Sequence, residues 1–136
     1  MTTIRLKCTC GAVEMKLTGR PLLQYYCHCD DCQRVHGAAY ACALYPAEAV
    51  TVSGETRAVV LKTTSRAKCG RCEMYLFAEV PGVAVRGVNG SLLPEGTFRP
   101  EFHMQCTFAR EPIRDELPHF KGLPPRFGGS GELMRW

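Results

Sequence analysis

The sequence predicts a mostly-β protein, a small zinc-stapled fold of packed antiparallel sheets with little helix. Three observations carry this expectation. Short segments alternate apolar and polar residues with a period of two, the mark of half-buried strands. Gly, Pro and Asn punctuate the chain closely and leave little room for a long helix. Seven of the nine cysteines fall into three groups: Cys8-Thr9-Cys10, Cys27-His28-Cys29-Asp30-Asp31-Cys32 and Cys69-Gly70-Arg71-Cys72. Short strands bury little apolar area, and a bound metal supplies the missing folding free energy, on the order of 10 kcal/mol in small zinc modules.

In chain order, residues 3–7 alternate with Ile4 and Leu6 on one side, and residues 12–18 alternate with Val13, Met15 and Leu17 facing one way. Residues 22–26, 39–44, 57–62, 74–80 and 83–88 are further strand candidates, and 101–108 is a late one. Asn89-Gly90 is a turn signal. Residues 30–36 fit a short helix, with Asp30 or Asp31 as N-cap and Gly37 as C-cap. Residues 46–50 fit a single turn. From Pro112 onward Pro, Gly and charge are mixed, which reads as an extended arm with residues 121–136 a flexible tail.

At 136 residues, 46% hydrophobic and 22% charged, the chain fits one domain spanning residues 1–136. It has no apolar run of about 18 residues, so no membrane span is expected. Residues 1–7 lack a secretory apolar core. The expected location is therefore cytoplasmic, where thiols stay reduced and clustered cysteines point to metal binding or catalysis rather than disulfides. The formal charge of +4 falls toward neutrality once seven thiolates and two zinc ions are included. The basic residues are also scattered, which argues against a nucleic-acid or anionic-membrane partner.

Structural zinc takes four protein ligands, whereas catalytic zinc takes three and keeps a position open. Sulfurs around one zinc sit about 3.8 Å apart. A Cys-x-Cys pair on a straight strand spans about 6.6 Å, so the chain must bend after Cys8, as Gly11 permits. Pairing this cluster with the Cys-x-x-Cys gives a closed site of Cys8, Cys10, Cys69 and Cys72. The middle cluster, Cys27, Cys29 and Cys32, is then an open site. Its fourth position suits a soft thiolate substrate, which stays deprotonated and nucleophilic there. A fully structural second site would instead draw a fourth ligand from His28, His36, His103, Cys42 or Cys106. His28 lies between two ligands and points away from them. His36 follows Cys32 by four residues, on the same helical face, and is the candidate acid or base. Cys42 and Cys106 lie in apolar segments and read as small buried hydrophobes.

The ordered signature Cys8-Thr9-Cys10-Gly11, then Cys27-His28-Cys29-Asp30-Asp31-Cys32 through Gly37, then Cys69-Gly70-Arg71-Cys72 resembles the glutathione-dependent formaldehyde-activating enzyme family, which includes centromere protein V. The resemblance spans about residues 4–120, with Glu116-Leu117-Pro118-His119-Phe120 similar to the family's C-terminal segment. It implies a tent-like β-fold, a structural zinc on Cys8, Cys10, Cys69 and Cys72, and a catalytic zinc on Cys27, Cys29 and Cys32. The implied activity is carbon–sulfur lyase or synthase chemistry joining glutathione and formaldehyde as S-hydroxymethylglutathione. Two positions depart from the family's habit. Lys68 stands where an aromatic usually precedes the Cys-x-x-Cys, and Glu73 stands where a Gly usually follows it. Arg110-Glu111-Pro112-Ile113 replaces an Ala-Pro-Trp-like stretch.

The expected function is a zinc-dependent lyase or synthase acting on a small thiol, glutathione-like, and an aldehyde such as formaldehyde, with Cys27, Cys29, Cys32 and His36 at the reacting centre. The alternative is a non-enzymatic zinc module for protein interaction or redox sensing. The latter would work by zinc release and disulfide formation among the three middle cysteines.

Overall fold

The computed structural model describes all residues, 1–136. It is mostly β, with two sheets, a single α-helix and several one-turn 3-10 helices. No helix is long and apolar enough to cross a membrane. The chain divides into two compact units. Residues 1–23 and 43–98 form the first, and residues 24–42 and 99–136 form the second.

The first unit begins with an antiparallel hairpin, β1 (Thr3–Lys7) on β2 (Glu14–Thr18), with Leu6 opposite Met15. Their alternation resolves into faces: Leu6, Met15 and Leu17 are buried while their neighbours are not. Strand β5 (Val50–Ser53) pairs antiparallel with the other side of β2. A second antiparallel run follows: β6 (Thr56–Leu61) pairs with β7 (Thr64–Cys69), β7 with β8 (Tyr75–Glu79), and β8 with β9 (Val85–Asn89). The core of the unit packs Val13, Met15, Leu17, Tyr45, Val50, Leu76, Phe77 and Val88 together with Cys8 and Cys69.

The second unit contains β3 (Leu23–Cys27), α1 (Asp30–His36), the first half of β4 (Tyr40–Pro46) and β10 (Phe102–Met104). Strand β10 pairs with β3 in parallel, with Phe102 beside Tyr25 and Met104 beside Cys27. Aromatic rings fill this unit: Tyr25 stacks on Phe102 at 5.2 Å, and Phe120 meets Phe102 edge-on at 5.7 Å. Residues 121–136, read from sequence as a flexible tail, make defined contacts. Phe120 bridges to Leu133, Lys121 pairs with Glu132 at 2.8 Å, and the Met134 amide donates to His119 O.

Local differences from the sequence reading have physical causes. Strand β7 escapes notice because Thr64–Cys69 is polar in composition, yet it buries Arg66 and Ala67. Asn89-Gly90, read as a turn signal, does turn, as a 3-10 helix over Gly90–Leu92, with Asn89 Oδ1 accepting from the Ser91 amide. The late strand stops at Met104 because Gln105 adopts a left-handed conformation, and Cys106–Phe108 turn as a 3-10 helix.

Gly54 lies between β5 and β6 at φ +110°, and a Cβ there would fall 2.3 Å from Ala12 O and 3.0 Å from Val13 Cα. This turn therefore presses on the backbone that carries the first cysteine pair. Gly54→Ala is expected to destabilise the protein by about 3 kcal/mol through combined backbone strain and overlap, read as a lowered midpoint in urea unfolding.

Candidate metal centres

The first unit brings Cys8, Cys10, Cys69 and Cys72 together, all four sulfurs within 4.8 Å of one another. Cys8 Sγ lies 3.5 Å from Cys10 Sγ and 3.6 Å from Cys69 Sγ, and Cys10 Sγ lies 3.7 Å from Cys69 Sγ. These separations are those of sulfurs sharing one tetrahedral ion. The bend required of Cys-x-Cys is present: Gly11 sits at φ +77° and its amide closes a turn on Cys8 O at 2.9 Å.

Backbone amides point at the sulfurs. Val13 N–H donates to Cys8 Sγ, Ala12 N–H to Cys10 Sγ, and Arg71 and Cys72 N–H both to Cys69 Sγ, each at 3.4 Å. The Cys72 amide, and then that of Arg71, outweigh burial and lower the Cys69 thiol to about 6. Cys10 is pushed up to about 11, since burial and the neighbouring sulfurs together outweigh the Ala12 amide. The protein thus stabilises some negative charge on its own, and a divalent cation held there would allow every sulfur to ionise. The donor set, spacing and amide pattern fit zinc.

The two departures flanking Cys69-Gly70-Arg71-Cys72 are linked in space. Glu73 has φ 64°, the left-handed conformation that favours glycine. Its amide donates to Cys69 O at 3.0 Å, and its carboxylate pairs with Lys68 Nζ at 3.1 Å and with Arg57. Lys68, in the other departing position, therefore supplies a partner to the residue that replaces the glycine.

In the second unit Cys27, Cys29 and Cys32 converge, their sulfurs also within 4.8 Å of one another. Cys27 ends β3, and Cys29 rather than Asp30 or Asp31 caps α1, its sulfur accepting from Cys32 N–H at 3.3 Å. The thiols of Cys29 and Cys32 push the Cys27 thiol well up, with burial adding to the shift. Three sulfurs that oppose one another's ionisation in this way form a set that a divalent cation would relieve. No fourth Cys, His, Asp or Glu belongs to this group. Gln33, buried on the inner side of α1, donates Nε2–H to His28 O at 2.7 Å and to Phe108 O, and accepts from Arg110 Nε at 2.8 Å. It fixes the helix against the segment that follows β10.

Gly37 caps α1 in the left-handed conformation at φ 74°. His36, in the last turn, stacks on Tyr40 with ring centroids 4.5 Å apart and lies outside the sulfur group. Cys42 and Cys106 are buried outside both sulfur groups. A third group escaped the sequence reading: His103, Asp115 and His119. His103 had entered only as a possible ligand for the middle cysteines. The signal was weak, because His103 and Asp115 are twelve residues apart with no motif between them.

Fold and centres together define a mostly-β protein with two cysteine clusters, each able to hold a metal ion. The family model described as glutathione-dependent formaldehyde-activating enzyme matches residues 3–108. The chain belongs to that family. A crystal structure of a Rhodobacter sphaeroides protein shares the fold, with a TM-score of 0.56 and 24% identity over 69% of this chain and 90% of that one. No curated protein matches the chain.

The Glu73 position offers a direct test. Glu73→Gly should leave the unfolding midpoint nearly unchanged, because relief of the left-handed strain offsets the loss of exposed ion pairs. Glu73→Ala loses the pairs and keeps the strain, and should lower the midpoint. Both are read from urea unfolding of the zinc-loaded protein.

Proposed function

We propose that the protein is a zinc-dependent carbon–sulfur lyase or synthase that joins a small glutathione-like thiol to an aldehyde such as formaldehyde and reverses that reaction. The observation that carries the reading is the contrast between a four-sulfur group and a three-sulfur group within one chain. Four sulfurs saturate a tetrahedral ion, whereas three leave one position for a substrate atom. Family membership supports the same chemistry.

In this reading Cys8, Cys10, Cys69 and Cys72 hold a structural zinc and Cys27, Cys29 and Cys32 hold a catalytic one. A zinc ion at the three-sulfur site would keep a bound thiol in its nucleophilic thiolate form at neutral pH. With its S–H proton released to solvent, the thiol sulfur would bond to the aldehyde carbon while the C=O π electrons move onto oxygen. His36, at the end of the helix that carries Cys32, supplies the proton that converts this oxygen to hydroxyl. In reverse, the hydroxymethyl proton returns to His36 as the C–S bond breaks. Cys29 holds its sulfur in place as the helix cap, and Gln33 ties that helix to the backbone of His28.

Zinc analysis of reduced protein should give two ions per chain, falling to one in Cys29→Ser. Thiol–aldehyde exchange, followed by magnetization-transfer NMR to separate it from the fast uncatalysed reaction, should lose its acceleration in the same variant. Two zincs remaining in Cys29→Ser, or exchange unaffected by it, would remove the three-sulfur site from the mechanism. His36→Asn should retain both zincs and slow exchange by about 100-fold, the scale of lost general acid catalysis. An unchanged rate would assign the proton to another group.

A further inference from the structure

The segment that follows β10 is held within the second unit at both ends and in its middle. At the ends the ties form one continuous hydrogen-bonded array. His28 Nε2 lies 2.8 Å from His103 Nδ1. His103 Nε2 lies 2.7 Å from Asp115 Oδ2, and His119 Nε2 lies 2.6 Å from Asp115 Oδ1. Trp136 Nε1 lies 2.8 Å from His119 Nδ1. These are hydrogen-bond lengths. His103 precedes the segment and Asp115 follows it, so the bond between their side chains closes residues 104–114 into a clamped loop.

In the middle of that loop, Gln33 of α1 holds Phe108 and Arg110. Gln33 is buried, and both of its amide hydrogens are committed, since Nε2 donates to His28 O at 2.7 Å and to Phe108 O. An amide oxygen only accepts. The orientation of this buried group is therefore fixed, and Oε1 receives the Arg110 Nε–H at 2.8 Å.

Arg110 is left with a fixed position and an uncompensated charge. A guanidinium has five N–H donors in a planar fork and stays protonated throughout. Here one donor meets a neutral oxygen, and no carboxylate pairs with the other four. Acidic groups of the same unit are engaged elsewhere: Asp30 with Arg34, Glu132 with Lys121, and Asp115 with the two histidines. The Nη1–Nη2 edge of Arg110, whose spacing matches the two oxygens of a carboxylate, is exposed and has no protein acceptor. Loss of side-chain freedom weakens most surface arginine contacts. At Arg110 much of that freedom is already lost to the Gln33 bond, so an arriving carboxylate meets a preorganised fork.

The same bonds set the distance from this fork to the three sulfurs. The Gln33 amide bridges Arg110 Nε and His28 O, which holds the guanidinium within about 8 Å of the backbone joining Cys27 to Cys29. Gln33 itself directly follows Cys32. A tripeptide thiol with a central cysteine and a carboxylate at each end spans roughly 7 to 9 Å from sulfur to carboxylate. The sulfur cluster and Arg110 are thus within the reach of one such molecule. Arg110 also lies beyond the residues 3–108 matched by the family model, and it opens the stretch that departs from the family's habit.

We propose that Arg110 is a specificity-determining residue whose Nη1–Nη2 edge binds a carboxylate of the thiol substrate, so that the protein selects carboxylate-bearing thiols over neutral or esterified ones. The assignment rests on the reading of Cys27, Cys29 and Cys32 as the thiol site.

Calorimetric titration of the reduced, zinc-loaded protein with glutathione, and with its diethyl ester, tests this without turnover. The diester keeps the thiol and caps both carboxylates. The wild type should bind glutathione about tenfold more tightly than the diester, the scale of one hydrogen-bonded charge pair. Arg110→Gln should lose that preference at wild-type zinc content. Arg110→Lys, which restores the charge without the planar fork, should recover part of it. Equal wild-type affinity for the two ligands, or a preference that persists in Arg110→Gln, would overturn the role of Arg110 and leave the thiol site standing. Failure of both ligands to bind would overturn the thiol site and this assignment together. Binding with the expected preference but no acceleration of thiol–aldehyde exchange would remove the lyase reading and uphold Arg110 as the carboxylate anchor.

Discussion

Sulfur atoms drawn within about 3.7 Å of each other repel as they ionise, and the architecture of the first unit answers that repulsion. The turn after Cys8 and the turn after Cys69 each direct backbone amides at sulfur, so every bend that brings the cysteines together also delivers a donor to them. The two cysteines that hydrogen-bond across the cluster, Cys8 and Cys69, are 61 residues apart in the chain. Both are buried in the same core as Met15, Leu17 and Leu76, which makes the cluster part of the hydrophobic packing rather than an attachment to it. Gly54 belongs to the same constraint, because its lack of a side chain lets the β5–β6 turn lie against Ala12 and Val13.

The second unit solves a different problem with fewer sulfurs. Cys27 comes from the end of a strand, Cys29 from a helix cap and Cys32 from the first turn of that helix, so the cluster sits where a strand becomes a helix. Polar side chains brace this junction. Gln33 uses both ends of its amide, and the histidine at position 28 is tied by its ring to β10. The parallel pairing of β10 with β3 places Met104 next to Cys27 and His103 next to Tyr26, which brings the C-terminal third of the chain to the cluster.

Much of this was legible in the sequence, for identifiable reasons. Cysteine spacing encodes ligand geometry directly, so the grouping of Cys8 and Cys10 with Cys69 and Cys72 could be read without any knowledge of the path between them. Strand β1 and the helix over Asp30–His36 were readable because alternation and capping residues are local signals. Strand β7 was not, because its burial comes from pairing on both sides with β6 and β8 rather than from its own composition. The array from His28 to Trp136 was illegible for a similar reason. It joins the residue after β3, His103 of β10 and residues of the C-terminal segment that share no spacing, and only the fold makes them neighbours. The cap of α1 was misassigned to an aspartate because sulfur is a rare cap, and residue preferences favour oxygen.

That sulfur cap has a consequence for how the second unit assembles. Helix α1 has seven residues, far short of the length at which a helix stands alone in water. Its beginning is defined by a bond from the Cys32 amide to Cys29 Sγ. A thiolate accepts such a bond more strongly than a thiol does, so the charge state of one sulfur governs both the cluster and the first turn of the helix. Order in the first turn of α1 and negative charge on Cys29 therefore favour each other, so a cation held by that sulfur would also favour the start of the helix.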